Sequence, residues 1–314
     1  MPTTFAANAM AVQAMRSTTR AQLQGMALLA ANEECRSCLH DIAAIVDSQL
    51  SGIHELTRSG QIQPSQRLAL AEDQGQVSSV ERTPRVGVYP LAANPMHWGH
   101  ILVGLAAIAL MKLDKVVFVI AGRDERKPSM TAAETRHLLG KSALEDFSPI
   151  FEYSPIALGT SSDGETSFGR ILSLNSHQRM EAYYIAGMDH CRRLNSAGEP
   201  DTIEKLERVI KEQKRAGNRN HAISLIFVER GGIVRESESV RTFLDVHLLP
   251  PLPFALSSTA VRRALCSGAS LCDAFVSLPC ACLLAMRPVG PFTGVRECFE
   301  GTEVTRQTNA PGTA

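Results

Sequence analysis

The chain has no excess of either charge: 32 Lys and Arg stand against 32 Asp and Glu in 314 residues. A neutral chain carries no global field to gather nucleic acid or an anionic membrane, so any anion site must be local. It also lacks a membrane-length apolar run. The longest, Ile101 to Met111, is about half of the roughly 20 residues that a spanning helix needs. No basic start followed by an apolar core opens the chain, so no secretory signal is expected. Arg16 and Arg20 precede the first acid, Glu33, which leaves an organelle-targeting segment open beside the expected cytoplasmic location. The eight cysteines form no metal pattern. Cys35 and Cys38 have the spacing of a zinc half-site or a redox pair. Their would-be partners, Cys280 and Cys282, are spaced wrongly and follow Pro279, and half a site does not hold zinc. Reduced thiols and no protein-bound metal are expected.

Proline is absent from residues 5 to 58, where Leu39, Ile42, Ala43, Val46, Leu50 and Ile53 recur at helical spacing. Residues 1–59 therefore read as a helical extension. Residues 60–84, rich in Gln, Ser, Glu and Pro, read as a linker. Residues 85–287 alternate strand-like and helix-like segments, and 288–314 form a Gly-, Thr- and Pro-containing tail expected to be disordered. Because the alternation begins only at Arg85, removal of residues 1–80 is expected to leave a folded domain.

Within 85–287, strands are expected at Arg85–Tyr89, Lys115–Ala121, Tyr183–Ala186 and Ala222–Val228. The β-branched run KVVFVIA suits a strand buried on both faces. Helices are expected near 99–112, 131–145 and 202–215, the second opening on Thr131 with Glu134 in a capping-box pattern. Such alternation implies an α/β fold, a Rossmann-like parallel sheet with helices on both faces, and ligands beyond the carboxyl ends of its strands.

The loop after the first strand reads Tyr89-Pro-Leu-Ala-Ala-Asn-Pro-Met-His-Trp-Gly-His100. Two imidazoles meet a helix start, whose unpaired N–H groups and positive dipole end favour phosphate. Gly99 lets a phosphate approach the backbone, and His97 and His100 are donors for oxygens that gain charge in a phosphoryl transition state. An isolated His-x-x-His is more often a capping or surface pair. Farther on, Leu256-Ser-Ser-Thr-Ala-Val-Arg-Arg263 offers Ser257, Ser258 and Thr259 to cap a helix, with Arg262 one turn later on the same face.

Together these motifs carry a resemblance. Asn94-Pro-Met-His-Trp-Gly-His100 resembles the Asp/Asn-Pro-x-His/Thr-x-Gly-His signature of the nucleotidylyltransferase superfamily, and Leu256 to Arg262 resembles its Ile-Ser-Ser-Thr-x-Ile-Arg motif. Tyr184-Ile-Ala-Gly-Met-Asp189 looks like the family's Gly-x-Asp, which implies nucleotide contacts for Gly187 and Asp189. Where the family has Gly-Thr/Ser-Phe, this chain has Leu91-Ala92-Ala93. The resemblance covers about residues 85 to 265.

It implies transfer of AMP from ATP, accompanied by Mg2+, to a small phosphorylated acceptor. Nicotinate or nicotinamide mononucleotide is the first choice, phosphopantetheine the second and a cytidylyl transfer the third. His97, His100 and Arg262 would be catalytic. Asn94, Gly99, Gly187, Asp189, Arg230, Ser257, Ser258 and Thr259 would bind the nucleotide, and Lys127, near Arg123 and Arg126, the acceptor. Arg136 is given no catalytic role. Trp98 is expected to pack beside the helix start, and Phe168 is a candidate aromatic contact for the acceptor. No nucleic acid or membrane partner is implied; a homo-oligomer is compatible. A class I tRNA synthetase is set aside because no Lys-Met-Ser-Lys-Ser loop is present. From another class, a nucleotide-binding regulator without turnover is admitted by Leu91-Ala92-Ala93.

Overall fold

A computed structural model of the chain describes residues 4–30, 32–74, 82–123, 130–161, 163–191, 201–228, 242–252, 256–267 and 278–279. Arg126, Lys127, Arg230, Cys280, Cys282 and the tail 288–314 lie outside the described residues.

The chain opens with two helices, α1 (Thr4–Leu29) and α2 (Glu33–Arg58). There follow β1 (Arg85–Leu91), α3 (Trp98–Met111), β2 (Lys115–Ile120), α4 (Ala133–Glu145), β3 (Phe151–Ser154) and α5 (Gly164–Leu174). The second half holds β4 (Met180–Gly187), the short α6 (Met188–Cys191), α7 (Asp201–Arg215), β5 (His221–Val228), β6 (Asp245–Leu249) and α8 (Ser258–Ser267). All six strands pair in parallel in the order β3-β2-β1-β4-β5-β6. The order reverses between β1 and β4. Loops leaving those two strands diverge there and open the crevice where such sheets bind ligands.

Strand side chains alternate between two cores, as the pleat requires. Tyr89, Phe118, Ile120 and Ile185 enter one core with α2, α3 and α4. Val88, Val117, Val119, Tyr184 and Phe227 enter the other with α5 and α7. The α/β architecture with helices on both faces is therefore as the sequence implied. Every residue of β2 is buried, in keeping with its unbroken apolar run.

Helix α3 explains the N-terminal pair. Residues Trp98 to Ile108 are all buried, so the helix is covered on every side. A helix that is apolar all round cannot leave a face to water. Here β1 and β2 lie against it, and α2 packs on it as well. The α2 stripe Leu39, Ile42, Val46, Leu50 and Ile53 joins the same core as Ile101, Leu105 and Ile108. Helix α1 is pinned to α2 by the Arg16 guanidinium, which donates to both oxygens of Asp47 at 2.7 and 2.8 Å.

The segment read as a linker does not tether loosely. Ile62, Leu68, Ala69 and Leu70 are buried. The Gln63 N–H donates to buried Asp114 at 2.6 Å, and the Ser154 hydroxyl donates to the Leu70 carbonyl at 2.6 Å. The Asn175 side chain bonds both backbone groups of Ala69, at 3.0 and 2.9 Å. Side chains of the α/β body thus satisfy backbone groups that a surface loop would leave to water.

Other expectations change. Helix α4 starts at Ala133 with Ala132 as N-cap and no side-chain cap bond, so the Thr131–Glu134 capping box does not form. Instead the Thr131 carbonyl accepts from Arg136 at 2.9 Å. Helix α5, with β3 and β6, was not anticipated; its start is Gly- and Ser-rich, but Asp163 caps it by accepting from the Thr166 N–H at 2.9 Å. Phe168 is fully buried with its ring edge-on to Tyr184, so it is core and not an acceptor contact. Trp98 packs edge-on to Phe147.

Contrary to the expectation from strand-helix alternation, removal of residues 1–80 should give an aggregating chain, because it strips the cover from α3. Ile53→Ala in the full chain should cost roughly 2–5 kcal/mol of unfolding free energy. Chemical denaturation of both variants checks this, and a soluble truncation that melts cooperatively would contradict it.

Candidate active site

The loop leaving β1 is held from beneath by one buried arginine. Arg136, 1% exposed, donates to the carbonyls of Ala92 and Ala121 at 2.7 Å each and of Thr131 at 2.9 Å, and it also bonds the Gly122 carbonyl. Hydrogen bonds from a charged donor are worth about 1.5–3 kcal/mol each, and carbonyl dipoles offset much of the desolvation that a buried guanidinium suffers. Beside it Ala93 is buried with φ 45°, in the left-handed region that glycine enters at least cost. The left-handed turn falls at Ala93, where the pattern it resembles has Phe, while Leu91, at the position of that pattern's Gly, ends β1.

Past the turn, His97 is the N-cap of α3, with φ −144° and ψ 169°. Its Nδ1 accepts the Gly99 N–H at 3.1 Å, and His100 Nδ1 accepts the His97 N–H at 3.3 Å. This is a capping box built from imidazoles in place of hydroxyl and carboxylate. A neutral ring whose Nδ1 accepts carries its proton on Nε2, so the local geometry selects the Nε2–H tautomer of both rings. The rings lie 3.9 Å apart, centroid to centroid, and both residues are buried. Gly99 is required by His97 itself: a Cβ there would stand 2.8 Å from the imidazole Cε1 and 3.3 Å from Leu256 Cβ. The sequence suggested a phosphate's approach as the reason for glycine; the His97 ring supplies a second one.

The second motif closes on this loop. Arg262 Nη1 donates to the Asn94 carbonyl at 2.6 Å, across 168 residues of chain, and Ser258 donates to the Pro95 carbonyl at 3.0 Å. Ser257 caps α8 by accepting the Ala260 N–H at 3.1 Å, while Thr259 accepts from Arg262 Nη2 at 3.4 Å. The fold thus brings Asn94, His97, Gly99, His100, Ser257, Ser258, Thr259 and Arg262 together. Asn94, 4% exposed, keeps its Oδ1 buried and unpartnered among the described residues. Gly187 ends β4, and Asp189 follows in α6 with its side chain 65% exposed, 3.9 Å from His190. Among the described residues, no hydrogen bond joins Asp189 to the histidine loop.

Two residues at this end of the sheet escaped sequence reasoning. Glu165, in the first turn of α5, is buried and accepts the Tyr184 hydroxyl at 3.1 Å. The turn fits tightly, since a Cβ on Gly164 would meet Pro90 Cβ at 2.7 Å and the Tyr184 hydroxyl at 2.9 Å. Burial, then neighbouring Asp163, raises the Glu165 pKa. His137, whose Nδ1 lies 2.6 Å from the Tyr153 hydroxyl, has its pKa lowered by burial and then by adjacent Arg136. A lone Glu or His gives no pattern in a sequence, so neither could be singled out.

No family model matches the chain. Curated proteins do. A probable nicotinate-nucleotide adenylyltransferase from Clostridium botulinum is 25% identical over 190 residues, 57% of this chain and 84% of the relative. One from Clostridium perfringens is 28% identical over 184 residues, covering 57% and 85%. One from Thermus thermophilus is 26% identical over 191 residues, covering 60% and 89%. A solved structure of Plasmodium falciparum nicotinic acid mononucleotide adenylyltransferase complexed with NaAD superimposes with a TM-score of 0.49 at 17% identity, over 65% of this chain and 94% of that one. By sequence, the chain is related to the nucleotidyltransferases named nicotinate-nucleotide adenylyltransferase, as its motifs implied.

The buried carboxyl gives a pH signature. With its pKa raised, Glu165 holds a proton in the fold where the unfolded chain has lost it, so its contribution to stability falls as pH rises from about 4.3 through the folded value. In a Glu165→Gln variant the amide has no such proton to lose. The melting temperature of that variant relative to the parent should therefore climb with pH across this window and then level off. A difference that stays constant from about pH 4 to about pH 8 would show that the carboxyl is not perturbed.

Proposed function

We propose that this chain transfers AMP from Mg2+-bound ATP to nicotinate or nicotinamide mononucleotide, releasing pyrophosphate and forming a dinucleotide of the NAD type. The observation that carries the reading is the lock between the loop after β1 and α8. It sets two Nε2–H imidazoles, a helix N-terminus and an arginine around one crevice. The sequence relatives support the choice of acceptor.

In this reading an oxygen of the acceptor's phosphate attacks the α-phosphorus in line. The bond from that phosphorus to the bridging oxygen breaks, and its electron pair leaves with pyrophosphate. No covalent enzyme intermediate is needed, so catalysis is positioning plus charge stabilisation. His97 and His100 donate to oxygens that gain charge as the bond breaks, beside the dipole end of α3. Arg262, a planar fork of N–H donors, reaches the β- and γ-phosphates with Ser257 and Thr259. Ser258, whose hydroxyl is committed to Pro95, supports the loop. Asn94, whose carbonyl accepts from Arg262, is assigned to the nucleotide on sequence grounds, and Gly187 and Asp189 meet its ribose. Lys127 is assigned to the acceptor and Arg230 to ATP on sequence grounds.

Magnesium is written as part of the substrate. Among the described residues no group of three or more His, Cys, Asp and Glu could hold a metal. The donor set offered is imidazole, guanidinium and amide, which suits phosphate oxygens better than a hard cation. No helix among the described residues is long and apolar enough to cross a membrane.

Pyrophosphate release from Mg2+-ATP should be seen with nicotinate or nicotinamide mononucleotide and not with phosphopantetheine. Release with phosphopantetheine alone would shift the acceptor, and release with none would favour a binding regulator. His100→Ala should lower kcat by about 10²–10³ while the protein stays folded. Arg262→Ala should weaken ATP by roughly ten- to a hundredfold and AMP far less. Equal losses for both nucleotides would place Arg262 away from the triphosphate tail.

A further inference from the structure

The start of α3 is capped by two titratable rings, where helices ordinarily use hydroxyls, amides or carboxylates. The two kinds of cap respond differently to acid. A Ser or Asn oxygen accepts a backbone N–H at any pH, whereas an imidazole nitrogen accepts only while it carries no proton. His97 Nδ1 accepts the Gly99 N–H at 3.1 Å, and His100 Nδ1 accepts the His97 N–H at 3.3 Å. With Nε2 already protonated, an added proton goes to Nδ1. It turns that acceptor into a second donor facing a backbone N–H.

The described surroundings of the rings oppose such a charge. His97 and His100 are 4% and 5% exposed, and burial disfavours the charged form of an imidazole. They lie at the positive end of the α3 dipole, in a first turn that contains no acid. Their centroids are 3.9 Å apart, so a proton on one ring opposes a proton on the other. From β1, Tyr89 sets its ring 6.3 Å from that of His100. Among the described residues, the charged side chains bonded to this loop are Arg136 of α4, on Ala92, and Arg262 of α8, on Asn94. Both are cations.

We propose that this paired cap is a proton-sensitive latch: neutral imidazoles close the first turn of α3 and hold the crevice in shape, and acid that protonates either ring opens it. The pair gains a proton only by giving up a backbone acceptor. It therefore stays neutral in the fold at a pH where a free imidazole is already charged, and the rings face a ligand as neutral Nε2–H donors, not as imidazolium ions. The latch belongs to the unliganded fold and does not rest on the adenylyl-transfer reading. Its test measures no turnover, so the two can fail separately.

His97→Asn combined with His100→Gln rebuilds the cap from residues that accept at every pH, Asn being a favoured N-cap and Gln a favoured third residue of a capping box. Melting temperatures of the parent and this double variant are compared in phosphate-free buffer, because a bound oxyanion would favour charged rings. Below about pH 6.5 the unfolded parent binds protons at these two positions and the folded parent does not, so acid destabilises the parent through them. His137 and His221, whose pKa values are lowered chiefly by burial, remain in both chains and cancel in the difference. The melting temperature of the double variant minus that of the parent should be flat above about pH 7.5 and climb as the pH falls from about 7 to about 5. If the variant does not fold, NMR of the parent with isotope-labelled histidine decides. Both rings should show the Nε2–H tautomer at neutral pH and charge at least about one pH unit below a free imidazole, the equivalent of one lost cap. A melting difference that stays constant or shrinks on acidification would overturn the proposal. So would an Nδ1–H tautomer, or a titration midpoint at or above the free-imidazole value in the folded chain.

Discussion

Arg136 is a cation with almost no access to water, and what it holds is backbone. Its partners are the carbonyls of Ala92, Ala121, Gly122 and Thr131, at the exits of β1 and β2 and the approach to α4. A charge buried without such dipoles would be strongly unfavourable, so the three segments and the guanidinium must form together or not at all. The β2 exit is packed to the same tolerance. A Cβ on Gly122 would stand 2.1 Å from the Ala157 carbonyl oxygen and 2.2 Å from that of Thr160. With Ala92 fixed, Ala93 is carried into its left-handed turn, and Asn94 and Pro95 present their carbonyls to Arg262 and Ser258. One loop is thus gripped by arginines from two directions, from α4 and from α8.

That arrangement accounts for a left-handed residue in the loop that is alanine and not glycine. Glycine would enter the turn at Ala93 without strain but would add freedom to the unfolded chain, and freedom to the loop wherever packing did not hold it. Alanine in the same turn needs outside support, which Arg136 supplies at the preceding residue and Arg262 at the following one. The backbone geometry of the crevice is therefore set by tertiary contacts more than by local preference. This bears on the reading as an enzyme, since catalysis by positioning needs donors already in place and does not need a flexible strand exit.

Much of this was legible in the sequence, in the form of side-chain patterns. The unbroken apolar run of β2, the heptad-like stripe of α2 and the two phosphate-type motifs each repeat a residue type at a spacing with one geometric meaning. What was not legible involves backbone partners. Arg136 bonds carbonyls, which every residue has, so no complementary side chain advertises its role. The same holds for the stretch from Gln61 to Gln74, whose polar composition suggests a tether while Asn175, Ser154 and Asp114 capture its backbone. The expected capping box at Thr131 failed for a related reason: its carbonyl is drawn to Arg136, and α4 begins past it. Glu165 and His137 are isolated residues whose perturbation comes from burial, and burial at a loop or helix start has no periodic signature.

One signal was present and points to the N-terminal helices. Helix α3 is apolar on every face, which a helix with one side in water cannot be, so a further layer had to cover it outside the sheet and its two helical faces. Helix α2 is that layer, and α1 buttresses it through Arg16 and Asp47. The consequence reaches the crevice, because α3 begins at the histidines. Its first turn is closed by two imidazoles, its length lies between the sheet and α2, and its end turns off at Lys112 with φ 52°. A helix fixed at its start, along its sides and at its end cannot shift its N-terminal dipole relative to the loop it caps. The N-terminal extension, remote in sequence from both phosphate-type motifs, therefore helps to hold the donors still.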